Sequence, residues 1–355
     1  MMIPYNGWDR EYLENRDEYI KIFDRFMQQS KYQDINWFEN KIADYVGRPH
    51  AVAVTNATDA LYFSLLAHGV NSGDEVLVTD FSWISSASCI SMVGATPVFC
   101  DIDIDSYHVS FESIKRMTSD KTKALIYTHL FGNMTDTTEI KTFCDNNGIV
   151  LIEDAAQALG SRLNNTLAGT VGDSSVLSFN TNKVIAGING GGMYLTDSSE
   201  KSSYVRKLRE HGKNKILGYN SKMYSLNAEI INKRFENILS YQNRRQEIAK
   251  MYTDSLINEP VHVQKIKEGL DHNYHKYVIR FEDKETRDFV KKTMSATVHY
   301  DTPLSDKSMY QNIDHRKDEC INSKHVSDTI LSLPIHPWLK EDEITFVIDT
   351  IKNIL

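Results

Sequence analysis

Cysteine is scarce: Cys89, Cys100, Cys144 and Cys320 are the four in 355 residues. None pair at zinc-ligand spacing and their spread forms no disulfide framework, so neither a metal site nor a disulfide scaffold is expected. Basic charge is short as well. Forty lysines and arginines against forty-eight acidic residues leave −8, which argues against a general nucleic-acid binder, because phosphate has to be met by a basic face. No uninterrupted apolar run reaches membrane-spanning length. The start, Met1 to Arg10, has no basic stretch followed by an apolar one, so no secretory signal is expected. There is no internal repeat and no low-complexity tract. The expectation is a protein of the reducing cytoplasm with no membrane or nucleic-acid partner.

What is present reads as a folded α/β chain. Hydrophobic residues make up 41% and charged ones 25%, a globular balance. A compact fold of this size buries about 75% of the surface that its unfolded chain exposes, and the length suits one large domain and one smaller. Trp37, Phe38, Ile42, Tyr45 and Val46 fall on one helical face, stopped by Gly47-Arg48-Pro49. Short apolar runs at 51–54, 75–78, 97–100, 124–127 and 149–152 predict strands, with helices over 58–68 and 85–92 between them. Strands apolar on both faces that alternate with helices are buried and largely parallel. From Asn237 the pattern changes to a long polar helix over 237–256, strands at 277–280 and 297–300, and a last helix over 341–351. The expected division is a large, mostly parallel-sheet domain over 1–236 and a smaller α+β domain over 237–355.

Four constellations carry candidate chemistry. Thr55-Asn56-Ala57-Thr58-Asp59-Ala60 follows a strand and opens a helix, where free N–H groups and a hydroxyl suit a phosphate; an ordinary helix cap has the same look. Glu153-Asp154-Ala155-Ala156-Gln157 stands at a strand's carboxyl end, where open α/β sheets bind ligands. A buried Asp there needs a partner, and a protonated ring nitrogen or a helix cap would each supply one. Phe81-Ser82-Trp83 lies beyond another strand, where an aromatic can stack on a flat ring or simply edge the core. Lys183 follows Ser178-Phe179-Asn180-Thr181-Asn182 and precedes Gly190-Gly191-Gly192. Lysine forms Schiff bases with aldehydes once its amine is deprotonated, and glycines let backbone approach a ligand closely. Together these are the parts of a pyridoxal 5′-phosphate site: an anchor for the phosphate, a cover for the ring, an acid for the pyridine nitrogen and a lysine for the aldehyde.

In these segments, and in Gly94-Ala95-Thr96-Pro97-Val98-Phe99, Arg209-Glu210-His211-Gly212, Gly218-Tyr219-Asn220, Tyr274 to Arg280 and Ser332-Leu333-Pro334-Ile335-His336, the chain resembles the DegT/DnrJ/EryC1/StrS aminotransferases from about Trp37 to the C-terminus. The resemblance implies a fold-type I homodimer with shared active sites. It implies transfer of an amino group from L-glutamate to a nucleotide-linked keto-6-deoxyhexose, for surface polysaccharide or glycan sugars. It makes Lys183 the Schiff-base lysine, sets Asp154 on the pyridine nitrogen and Gln157 on the ring hydroxyl, and stacks Trp83 on the ring. It gives the phosphate to Ala57, Thr58 and Ser178, with Asn220 reaching in from a partner subunit. Asn189 stands where many members carry an acid, Ala57 where a glycine is common, and Lys222 where Arg is frequent. A subgroup with histidine at the lysine position dehydrates deoxysugars; Lys183 argues against that activity.

His299, Tyr300 and His336 are candidate substrate contacts, with structural histidines and a core tyrosine as the plain alternative. An anionic nucleotide-sugar also calls for a local basic patch, to which Lys222 or Arg209 could contribute. Tyr219-Asn220-Ser221 and the 274–280 segment resemble members that aminate C3, while length and Ser178-Phe179-Asn180 are also compatible with enzymes that aminate C4; a 4-keto substrate is slightly preferred. Two other readings are a cofactor-binding regulator or scaffold without catalysis, and a nicotinamide oxidoreductase. The second lacks its Gly-x-Gly-x-x-Gly after the first strand.

Overall fold

A computed structural model describes residues 3–4, 6–28, 34–294 and 296–355. Met1, Met2 and Tyr5, part of the start read above for a secretory signal, lie outside them. Eleven strands build the two sheets that matter here: β1 (His50–Val54), β2 (Glu75–Thr79), β3 (Thr96–Cys100), β4 (Thr122–Thr128), β5 (Val150–Asp154), β6 (Ser174–Ser178), β7 (Gly192–Thr196), β8 (His262–Val263), β9 (Tyr277–Arg280), β10 (Arg316–Lys317) and β11 (Ile330–Leu333). The large sheet runs β1-β7-β6-β5-β4-β2-β3-β10. Only β7 is antiparallel to its neighbours, β1 and β6; the other pairings are parallel. β2, β6 and β7 are buried at every position, as strands covered on both faces are; of these only β2 stood out as an apolar run in the sequence.

After a first helix, α1 (Trp8–Gln28), further helices cover the sheet on both sides. One core gathers Phe38, Ile42, Val46, Leu177, Phe179 and Leu195 beneath α2 (Asn36–Val46). The other gathers Val54, Leu61, Phe63, Val78, Ile90 and Ile126 beneath α3 (Ala57–Ala67) and α4 (Ser85–Met92). The stop of α2 is the expected one: Gly47 takes φ 83°, and its N–H caps Ala43. The buried face of α2 is Phe38, Glu39, Ile42, Ala43 and Val46. Trp37 is not on it and stays 39% exposed, since adjacent helical residues point about 100° apart.

The smaller sheet, β8-β9-β11, is antiparallel. It packs Ile279, Leu331 and Leu333 against the helices Ile238–Leu256 and Glu341–Ile354. The chain does not part cleanly at 236/237. β10 joins the edge of the large sheet beside β3, and Leu270–Asp271 pairs with Arg162–Leu163. One expected strand is absent: over 297–300 only Thr297 makes a bridge, to Ser332. The alternation there reflects packing rather than sheet, because Val298 and Tyr300 lean on Phe81, Phe131 and Val278 while the backbone leaves the sheet edge.

Candidate active site

A cleft of about 250 Å³ opens where the parallel strands end. Asp154 is the last residue of β5 and Ser178 the last of β6, while Ala57 and Thr58 start α3 and Ser85 and Ser86 start α4. All six line the cleft, as do Trp83, Gln157 and Lys183. This is the carboxyl edge of the sheet, where successive strand-to-helix turns leave side chains and helix N-termini facing one space.

The start of α3 is built as an anion cup. The Asn56 side chain accepts a hydrogen bond from the Asp59 N–H at 2.8 Å, which fixes the first turn. The hydroxyl of Thr58 lies 2.7 Å from that of Ser85. The glycine run is explained here. A Cβ on Gly192 would sit 2.4 Å from the Asn56 carbonyl and 2.7 Å from the Ala57 nitrogen, while Gly190 and Gly191 take φ 73° and 137°. Only glycine lets β7 begin this close to the cup.

Asp154 accepts from the Ser86 hydroxyl at 3.0 Å and from the Ala156 N–H at 3.2 Å. Burial pushes its carboxyl up, against these two bonds and the Lys183 charge. Burial pulls the Lys183 amine down to about 8, opposed by the Asp154 carboxylate. Glu153 serves differently. Alternation along β5 turns it to the other face, where it meets His129 at 2.8 Å and the N–H groups of Gly169, Val171 and Gly172 at 2.7–3.2 Å. Burial raises its carboxyl, but these partners outweigh burial and hold it below the usual range.

Gln157 is oriented by a strained turn. Its carbonyl oxygen accepts from the Phe131 N–H at 2.9 Å, and Phe131 has φ 62°, sparsely populated for a bulky side chain. The amide NH₂ is thereby turned toward the cleft and donates to the Tyr300 hydroxyl at 3.2 Å. Trp83 stands at the rim, 59% exposed, with its ring 6.3 Å from that of Tyr300. A cup at a helix start, a buried carboxylate, an oriented amide, a rim aromatic and a lysine of lowered basicity are the groups that a flat, phosphate-bearing pyridine calls for.

Other expected residues lie elsewhere. Asn220 is exposed on a loop, bridged to Glu210, and does not line the cleft of its own chain. His299 and Tyr300 do line it; His299 bonds the Ser332 hydroxyl at 2.9 Å, and burial, helped by Lys276 and Lys183, holds it down to about 3. His336 is buried behind the cleft, within 3.2 Å of the Pro4 carbonyl. Neither Lys222 nor Arg209, the residues that could contribute to a basic patch, lines the cleft. Arg209 is buried in an ion pair with Glu39 and donates to the Ala53 carbonyl, a structural role, and Lys222 pairs with Glu210 at 3.2 Å. Ser85, Ser86, His275 and Lys276 line the cleft without having been singled out. The two serines were signalled by their place at a helix start just past Trp83.

The sequence profile of the DegT/DnrJ/EryC1/StrS aminotransferase family matches residues 13–352. The chain belongs to that family. Among its relatives, a pleiotropic regulatory protein of Geobacillus stearothermophilus is 30% identical, over 99% of this chain and 98% of that one. A UDP-N-acetyl-3-dehydro-alpha-D-glucosamine 3-aminotransferase of Acidithiobacillus ferrooxidans is 31% identical, over 89% and 87%. Of solved structures, S. venezuelae DesV superposes with a TM-score of 0.94 at 26% identity, covering 99% of this chain and 98% of that one. The architecture is that of the fold-type I transferases, and the chain is an aminotransferase by family. Among the described residues no helix is long and apolar enough to cross a membrane.

Proposed function

We propose that this aminotransferase moves an amino group from L-glutamate to the ketone of a nucleotide-linked keto-6-deoxyhexose, the 4-keto form before the 3-keto, in the cytoplasm and for glycan or surface polysaccharide. Its cofactor is pyridoxal 5′-phosphate. The observation that carries the reading is the meeting of Lys183 and Asp154 in one cleft beside the helix-start cup, in a chain of this family. When bound, pyridoxal 5′-phosphate supplies an electron sink for the pair left behind when a proton leaves the carbon bearing nitrogen.

The chain's own residues do the rest. The N–H groups of α3 at Ala57, with the hydroxyls of Thr58 and Ser178, hold the phosphate. Trp83 covers one ring face. Asp154, anionic and fixed by Ser86 and Ala156, keeps a proton on the ring nitrogen. Gln157 presents an N–H to the ring oxygen because Phe131 has taken its carbonyl. Lys183 would hold the cofactor aldehyde and, once displaced as a free amine of lowered basicity, would take the proton from the α-carbon of the donor. His299 and Tyr300, on the opposite wall, face the sugar. In a homodimer the exposed loop places Asn220 at the phosphate of the neighbouring copy. The cofactor groups come from residues before 237 and this wall from residues after it.

Lys183→Ala is expected to abolish both the yellow colour of the loaded protein and turnover; a variant that kept both would overturn the assignment. A second reading is favoured by the name of the Geobacillus relative: a regulator that holds the cofactor without transferring amines. It predicts the colour but no product with any keto-sugar, and retention of both Lys183 and Asp154 weighs against it.

A further inference from the structure

The cleft holds a second lysine. Lys276 lines it together with Lys183 and is only 7% exposed. Its backbone N–H donates to the Phe131 carbonyl at 3.1 Å, so the strained turn that orients Gln157 also anchors Lys276 at the entry to β9. Among the described lining residues, Lys183 and Lys276 are the two lysine or arginine side chains, and Asp154 is the one acid. Behind them Arg245 borders a narrow crevice with both lysines, and it donates to the carbonyls of Tyr274 and Ile335 at 2.9 and 2.8 Å.

An amino acid donor presents a carboxylate one bond from the carbon whose proton Lys183 removes. A desolvated carboxylate needs a cation beside it. Lys183 is committed to the cofactor and to proton transfer, and Arg245 lies behind the cleft and not on its lining, with Nη1 on two backbone carbonyls. His275 and His299 are kept neutral by burial and by the neighbouring lysines. The diphosphate of a nucleotide-sugar lies several bonds from its reacting ketone, so it has no call on a cation this deep. We infer that Lys276 holds the α-carboxylate of the amino donor and so selects an α-amino acid for the first half of the reaction. This rests on the aminotransferase reading above. Burial, with Lys183 and Arg245 adding to it, pushes the Lys276 ammonium well down, and a carboxylate arriving beside it relieves that penalty.

The test uses the cofactor-loaded enzyme and L-glutamate beside L-isoglutamine, in which the α-carboxylate is a neutral amide. Conversion is followed by absorbance in the first half-reaction, and binding of unreactive glutarate by calorimetry. Wild type should strongly prefer glutamate. K276M should raise half-saturation by glutamate at least about 30-fold, the lower end for a desolvated charge pair that loses one member. It should also bind glutarate more weakly and treat the two donors alike, while the aminated enzyme still reacts with keto-sugar. K276R should keep part of the preference. A wild type that takes isoglutamine as readily as glutamate overturns the inference without any variant, and so does a K276M that keeps the preference or is impaired only toward keto-sugar. A wild type that holds its cofactor yet converts no amino donor overturns the aminotransferase reading, and this inference with it.

Discussion

Lys183 and Asp154 set each other's protonation. The amine is depressed to about 8, so its neutral form, the one that can attack an aldehyde, grows as pH rises through that value. Capture of pyridoxal 5′-phosphate by the apoprotein should therefore accelerate with pH and level off above about 8. The Asp154 carboxylate opposes the depression. Asp154→Asn should consequently move the midpoint to lower pH, which stopped-flow absorbance would read; a midpoint moving upward would contradict the pairing. Residues of this kind were legible in sequence, because Asp154, Gln157 and Lys183 each sit just past an apolar strand. Arg209 was not. As a lysine- or arginine-rich turn it looks like a surface cation, yet its partner Glu39 stands 170 residues away.

Elements explain the glycines and the buried ion pair. Gly192→Ala forces the start of β7 against the first turn of α3. A loss of about 1–3 kcal/mol is expected from overpacking, together with weaker cofactor retention, measured by denaturant unfolding and by dialysis; unchanged retention would argue against the cup. Glu39, on α2, accepts from Arg206, Arg209 and the Ala53 N–H and so ties α2 to β1. Glu39→Ala strands a buried guanidinium and should cost about 3–5 kcal/mol, seen as a lower denaturation midpoint. β1 to β5 announced themselves as short apolar runs, and α2 ended where its glycine and proline required, whereas β6 and β7, equally buried, were hidden by their serines, glycine and threonine. The segment at 297–300 misled because alternating polarity records which side chains are covered, and here loops and aromatic rings do the covering instead of a neighbouring strand.

At the scale of the molecule, the large sheet supplies the cup, Asp154 and Lys183, and the chain beyond 237 closes the cleft with Lys276, His299 and Tyr300. That closure was not readable from spacing, because it depends on how β9 and the 297–300 segment come to rest against Phe131. The net charge of −8 still sets a requirement for an anionic nucleotide-sugar; Arg209, buried against Glu39, does not answer it, and Lys276 is assigned to the carboxylate of the amino donor. The central claim is amino transfer to a nucleotide-linked keto-sugar. Its most direct test is to incubate the loaded enzyme with L-glutamate and a panel of nucleotide-linked 4-keto and 3-keto sugars, then locate new nitrogen by NMR. The account predicts an amino-sugar from the 4-keto substrate and none with Lys183→Ala. A loaded, yellow enzyme that leaves every keto-sugar unchanged would contradict it.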